Sequence, residues 1–320
     1  KMLNSVLSGK VDFIYNKKIS LFSTKIIEKL NIKVFNKVVV VGAGIFGCTS
    51  AWYLSKKGYN VDLYEKNSDI MLQASNINQY RLHSGYHYPR SKSTAISSLS
   101  GQKSFFEEYK ASILSNFDHY YCISSKDSLT SADEYLGFLN DLDLDYKIID
   151  NFPLINENAI DLIVKVNENL FDPIILRKEV WKLLNQYNVN VNLDSNVANQ
   201  DLLEYDNIIV ATYSNINSQL NNLSLSGLKK YQFELCEKPI FKFPVEYKNV
   251  SVVIMDGPFT CIDPVTFGGT HVVGNVVHAI HDSNIGAFLN NNSKYSGVLN
   301  KGVVRDFSIS KKDLFLETLR

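Results

Sequence analysis

The chain has 320 residues, and 33 Lys and Arg balance 33 Asp and Glu for a formal net charge of zero. No strong field therefore selects nucleic acid or an anionic membrane, and a small-molecule ligand is the expected partner. The length fits two domains sharing an interface, and Cys48, Cys122, Cys236 and Cys261 form no CxxC pair, which argues against a zinc site or disulfide framework and fits buried thiols in a reducing compartment.

In chain order, residues 1–36 read as an N-terminal extension in which Ile26, Ile27 and Leu30 predict a helix over Ser23 to Ile32. Lys1 to Val11 lack the continuous apolar stretch of a secretory signal, so a cytoplasmic location is expected. Val38 to Val41 form a β-branched run, as in a strand buried on both faces of a parallel sheet. The uncharged stretch Val38 to Leu54 is broken by Gly42, Gly44 and Gly47, and it falls short of the roughly 20 apolar residues a membrane span needs. No transmembrane segment is expected there. Ala51, Trp52, Tyr53 and Leu54 carry helical spacing, Gly58 stands where a helix would end, and Val61, Leu63 and Tyr64 supply a second strand, completing a βαβ unit.

Further along, Asp172-Pro173 sets an N-cap and first-turn pair before a helix through Val180, Trp181, Leu183 and Leu184. Val189 to Leu193 and Ile208 to Val210 read as strands, so parallel-sheet elements return after a long interruption. The expected fold is α/β: a Rossmann-type nucleotide domain from residues 37–95 and 165–225, with a parallel sheet. A second, α+β substrate domain of mainly antiparallel sheet comes from 96–164 and 226–308, with strand-like runs at Tyr231 to Leu235, Val250 to Met255 and Thr270 to Val277. Residues 309–320 begin a C-terminal segment.

Gly42-Ala43-Gly44-Ile45-Phe46-Gly47 follows the first strand and opens the helix, the context in which GxGxxG signals a dinucleotide. Gly42 permits the tight turn, Gly44 removes the Cβ that would block a pyrophosphate, and Gly47 lets helix and strand approach. The helix N-terminus faces the phosphates with its positive end. Glu65 closes the second strand, where a carboxylate accepts ribose hydroxyls and repels a 2′-phosphate.

The block Ala74-Ser75-Asn76-Ile77-Asn78-Gln79-Tyr80-Arg81-Leu82-His83-Ser84-Gly85-Tyr86-His87-Tyr88-Pro89-Arg90-Ser91 resembles the segment after the ribose-binding acid in the L-2-hydroxyglutarate oxidase branch of the D-amino-acid-oxidase-like superfamily. Phe171-Asp172-Pro173, Ile209-Val210-Ala211-Thr212, and Asp263-Pro264 followed by Gly269-Thr270-His271 are similar to further elements of that superfamily, so the likeness runs over about residues 37–308. The resemblance implies FAD as cofactor, contacted by Gly42, Gly44, Ile45, Phe46, Gly47, Glu65, Lys66, Ser75, Asn76, His83, Val197, Ala211 and Thr212. Two departures stand out: Tyr213 occupies a position usually held by Gly, and the Gly-rich C-terminal segment does not occur before Arg320, as in a truncated member with an incomplete flavin site.

Oxidation of a C–H beside a hydroxyl or amine needs a hydride acceptor, a base and a cation that orients the substrate carboxylate. Flavin supplies the first. His83, which the resemblance places beside the ring, is the candidate base; Arg81 and Arg90 are the candidate grips for a small carboxylate substrate; and His271 is expected to approach from the substrate sheet. Tyr86 and Tyr88 are candidate pocket walls, or core. His271, His278 and His281 lack a carboxylate or thiol at ligand spacing, so no metal is expected. The expected activity is FAD-dependent oxidation of a small 2-hydroxy acid or amino acid, with an NAD-dependent dehydrogenase and a non-catalytic, partner-dependent flavin-fold protein as the alternatives; the electron acceptor is left open.

Overall fold

The computed structural model describes residues 36–319, apart from 198–201, 203, 258–259, 266–268, 291, 300–302 and 306. The extension before residue 36, with its expected helix, lies outside the described residues. No described helix is long and apolar enough to cross a membrane. The described residues divide into two compact units: the first holds those up to Ile77 and those within Arg177–Phe233 and Asn284–Val303, and the second those within Asn78–Leu176, Glu234–Ser283 and Val304–Arg320.

In the first unit a parallel sheet runs in the order Asn207–Val210, Lys37–Val41, Asn60–Tyr64, Asn190–Asn192. Val38 to Val41 are all buried, as the β-branched run requires of a central strand. The register pairs Val41 with both Val210 and Tyr64, so Gly42, Ala211 and Glu65 follow at one C-terminal edge. Helix Ile45–Lys56 crosses between the first two strands and buries Gly47 to Trp52. Trp52 stacks on Tyr187, ring centroids 5.9 Å apart. This is the edge at which open α/β sheets bind ligands.

The second unit centres on a seven-stranded sheet in the order Ile240–Lys242, Thr270–Asn275, Thr260–Val265, Val250–Met255, Asp118–Ser124, Ile160–Val166, Tyr146–Ile148. All neighbours are antiparallel except Val250–Met255 with Asp118–Ser124. Tyr121, Ile123, Val164 and Val253 form its core with Tyr135, Phe138 and Leu139 of helix Ala132–Asp141, which Ser131 and Glu134 start with a capping box.

A smaller antiparallel sheet joins Arg81–Leu82 to Asn169–Phe171 and that strand to Ile113–Leu114. This pairing explains a boundary the chain order did not reveal: residues 78–95 and 165–176, expected with the nucleotide strands, lie in the second unit, while 284–303 lie in the first. The four thiols are free, with Cys48 and Cys122 buried. Cys236, expected to be buried, is exposed, because along its strand it shares the solvent side with Gln232 and Glu234.

Candidate functional site

The glycine turn of the first unit is shaped by its backbone. Gly42 has φ +98°, and a Cβ there would meet the Ala211 carbonyl oxygen at 2.7 Å. A Cβ on Gly47 would lie 1.8 Å from the Gly42 oxygen, so helix and strand could not close with any larger residue. Gly44 differs: its Cβ would find only Ser75 Oγ, at 3.4 Å, and would fill open space instead of the core. Gly44 is also the N-cap of the helix and has no side chain to cap it, a helix head that suits an anion.

Glu65 is buried, and its carboxylate accepts from the Ala43 amide at 2.8 Å, the Asn67 amide at 3.0 Å and the Asn67 side chain. It thereby holds the turn against the second strand, and a carboxylate's roughly four lone-pair sites leave room for a ribose hydroxyl. Ser75 Oγ accepts from the Ile45 amide at 3.0 Å. The loop bearing Ser75 and Asn76 is anchored from helix Pro173–Gln186: Asp69 accepts from Trp181 Nε1 at 2.8 Å and Arg177 at 3.4 Å, and Arg177 donates to Asn76 at 3.3 Å. Thr212 Oγ1 is buried with no hydrogen-bond partner.

A glycine cradle, a helix head, a carboxylate at the strand end and an orphaned hydroxyl fit the ADP half of a dinucleotide. Of the other expected contacts, Phe46 and Lys66 are exposed, Ala211 lines the turn, and Val197 packs beside Val39 and Val41. Asp69, Arg177 and Trp181 carried no sequence signal, because they meet only when the loop folds onto a helix over 100 residues away.

The second unit gathers a polar cluster in its interior. Arg81 donates from Nε to Glu168 Oε2 at 3.1 Å, and from Nη1 to Asp263 Oδ1 at 2.9 Å and Ser251 Oγ at 3.0 Å, with Tyr121 beneath the guanidinium at 5.0 Å. Its side chain is 3% exposed, so the expectation that Arg81 grips a substrate gives way: two buried carboxylates already take its donors. Burial alone would push the Glu168 carboxyl up, yet the Arg81 charge and the donors around it hold it well below the carboxylate range. Burial raises the Asp263 carboxyl, which Arg81 and Ser251 only partly offset.

His83 follows directly and is half-buried, with Nδ1 buried 3.6 Å from Glu168 Oε1. Its carbonyl accepts from Ser98 of helix Lys92–Tyr109 at 2.8 Å, and the next amide, Ser84, donates to Glu168 at 2.7 Å. His87 and Tyr88 ring it at 5.1 and 5.7 Å. Burial, with the nearby His83 and Arg81, lowers His87 to about 4. Tyr86 lies in the core, its hydroxyl bonded to the Asp145 carbonyl.

Arg90 is exposed and paired with Asp256. His271, expected to face a ligand, is 1% exposed inside the sheet, with Nε2 3.2 Å from the Val250 carbonyl and the ring on Phe243; burial keeps it below its usual value. Its strand is paired on both edges and covered on both faces, which sets that fate. Among the described residues no three His, Cys, Asp or Glu side chains are grouped to hold a metal. The sequence reading missed Glu168, which becomes visible only through the pairing of Arg81–Leu82 with Asn169–Phe171.

The family described as FAD dependent oxidoreductase, DAO, matches residues 37–150. The FAD-dependent monooxygenase FPY4 of Fusarium mangiferae is 36% identical over 102 residues, covering 31% of this chain and 27% of that protein. A D-amino acid dehydrogenase of Phenylobacterium zucineum is 43% identical over 53 residues, 17% of this chain and 12% of its own. The matched part thus spans about a quarter or less of the length of these relatives. Among solved structures, glycine oxidase from Geobacillus kaustophilus superposes with TM-score 0.62 at 14% identity, covering 80% of this chain and 74% of that one. L-proline dehydrogenase from P. horikoshii gives 0.57 at 15%, covering 89% and 77%. Residues 37–150 are accordingly similar to the FAD dependent oxidoreductase family, and the described chain has the fold of the glycine oxidase and L-proline dehydrogenase structures.

Proposed function

We propose that this chain belongs to an enzyme that binds FAD in the first unit and oxidises the amine- or hydroxyl-bearing carbon of a small carboxylate, amino acids being the first class to test. The observation that carries the reading is the row Gly42, Glu65 and Ala211 at one sheet edge, with Gly44 opening the helix head for a pyrophosphate. Several similar proteins are named for amino acid oxidation, which favours amino acids over 2-hydroxy acids.

Bound flavin would supply the hydride acceptor. The chain's own residues do the rest: Glu65 holds the adenosine ribose, Ser75 and Asn76 line the cradle, His83 takes the proton from the substrate N–H or O–H, and Arg90, exposed though paired with Asp256, is the candidate cation for its carboxylate. The test is to purify the protein at its full natural length, measure FAD per chain, and follow anaerobic bleaching with panels of D- and L-amino acids and 2-hydroxy acids. Bound FAD bleached by one class, and about 10²–10⁴-fold more slowly in His83→Ala, is expected. A colourless protein that takes up NAD instead overturns the cofactor reading, and bleaching at the parental rate in His83→Ala removes His83 from the mechanism.

A further inference from the structure

Glu168 is 2% exposed, yet it sits beside a half-exposed histidine, between strands Ile160–Val166 and Asn169–Phe171. Its position follows from strand register. Arg81 pairs with Leu170 and Leu82 with Asn169, so one step further along the same antiparallel pair sets His83 against Glu168. Four groups fix the carboxylate: Arg81 and the Tyr121 hydroxyl, at 2.9 Å, on Oε2, and the Ser84 amide on Oε1, with His83 Nδ1 facing Oε1.

We propose that Glu168 is a positioning residue for His83: its carboxylate keeps the imidazole proton on Nδ1 and so presents Nε2 as the atom that accepts the substrate's proton. The inference rests on the reading of His83 as the proton acceptor. At 3.6 Å the contact is an electrostatic one rather than a hydrogen bond, and electrostatics decides the tautomer. Nδ1 is buried and Glu168 is the anion facing it, so a lone pair there would meet negative charge whereas an N–H meets its complement. The exposed part of the ring carries Nε2, which is therefore left as the open lone pair.

The step balances. The substrate N–H or O–H bond breaks and its proton moves to Nε2, and the proposed flavin, when bound, would supply the acceptor for the hydride of the C–H bond. The imidazolium that forms has both nitrogens protonated and is stabilised by Glu168, which stays charged because Arg81 holds it. The other groups around the ring are His87 and Tyr88, with the charges of Arg81 and Asp263 and the imidazole of His119 coupled to the same cluster.

The experiment is long-range ¹H–¹⁵N correlation on the histidine-labelled holoprotein, with the His83 signals assigned by their loss in His83→Gln. The neutral ring should carry its proton on Nδ1. Glu168→Gln should raise the Nε2–H population and slow flavin reduction by about 10–100-fold with little change in KM, and Glu168→Asp should recover part of the rate. A predominant Nε2–H tautomer in the unaltered protein overturns the proposal even where Glu168→Gln fails to fold. If instead His83→Gln is reduced at the parental rate, it is the reading beneath the proposal that fails.

Discussion

Gly47 and Gly42 meet so closely that a Cβ on Gly47 would stand 1.8 Å from the Gly42 carbonyl oxygen, whereas a Cβ on Gly44 would touch only Ser75 Oγ at 3.4 Å. The first glycine serves the fold and the second leaves space for a ligand. Gly47→Ala should cost at least about 3 kcal/mol, because backbone and not a flexible side chain must yield. Gly44→Ala should melt within a few degrees of the parent and yet hold FAD at least tenfold more weakly. Thermal melts and flavin titration of the two variants check the contrast; equal flavin affinity in Gly44→Ala would count against the cradle.

Glu65 joins the turn to the strand as well as being the proposed partner of the FAD ribose. Glu65→Gln places an amide donor where the Ala43 and Asn67 amides already donate, so one buried donor loses its acceptor. Urea unfolding should show a loss of about 1–3 kcal/mol even without cofactor, and flavin affinity should fall further. A variant with parental stability would mean that the turn is held by the glycines alone.

Asp69 ties the loop of Ser75 and Asn76 to Trp181 and Arg177. Asp69→Ala should loosen that loop and weaken FAD about tenfold while leaving the cradle glycines in place. Isothermal titration with FAD gives the number, and faster proteolysis between residues 66 and 79 would report the released loop.

Acid should destabilise the second unit through its buried imidazoles. Burial lowers His87 to about 4, and burial with the Arg81 charge lowers His119 to about 3, from an ordinary 6.5. Below pH 6.5 the unfolded chain binds these protons and the folded chain does not, so stability falls as pH drops until the folded groups protonate. Each contributes about 1–3 kcal/mol. Asp263, pushed up by burial, acts in the opposite sense within the carboxylate range. Neither ring nitrogen of His119 has a partner, so His119→Phe should flatten the profile of urea midpoint against pH between 6.5 and 4. An unchanged slope would assign the acid sensitivity elsewhere.

Local spacing along the chain determined the βαβ unit. Val38 to Val41, the three glycines and Glu65 fall within 30 residues, and each performs a task that depends on its sequence neighbours: a buried strand, a tight turn, a helix head, a strand end. The same holds for Asp172, which accepts from the Ile174 and Ile175 amides at the start of its helix. Only the tertiary structure decided which charged residues are buried and which stay open. Arg81 and His83 are two positions apart and so share one side, both against Glu168, yet depth divides them: the guanidinium is buried on two carboxylates, whereas the imidazole is half open. His271 likewise has the right chemistry but is buried in a strand covered on both faces. Glu168, 85 residues from His83, becomes its neighbour through strand register. No one-dimensional spacing encodes that contact, because the energy that fixes it comes from hydrogen bonds between distant segments.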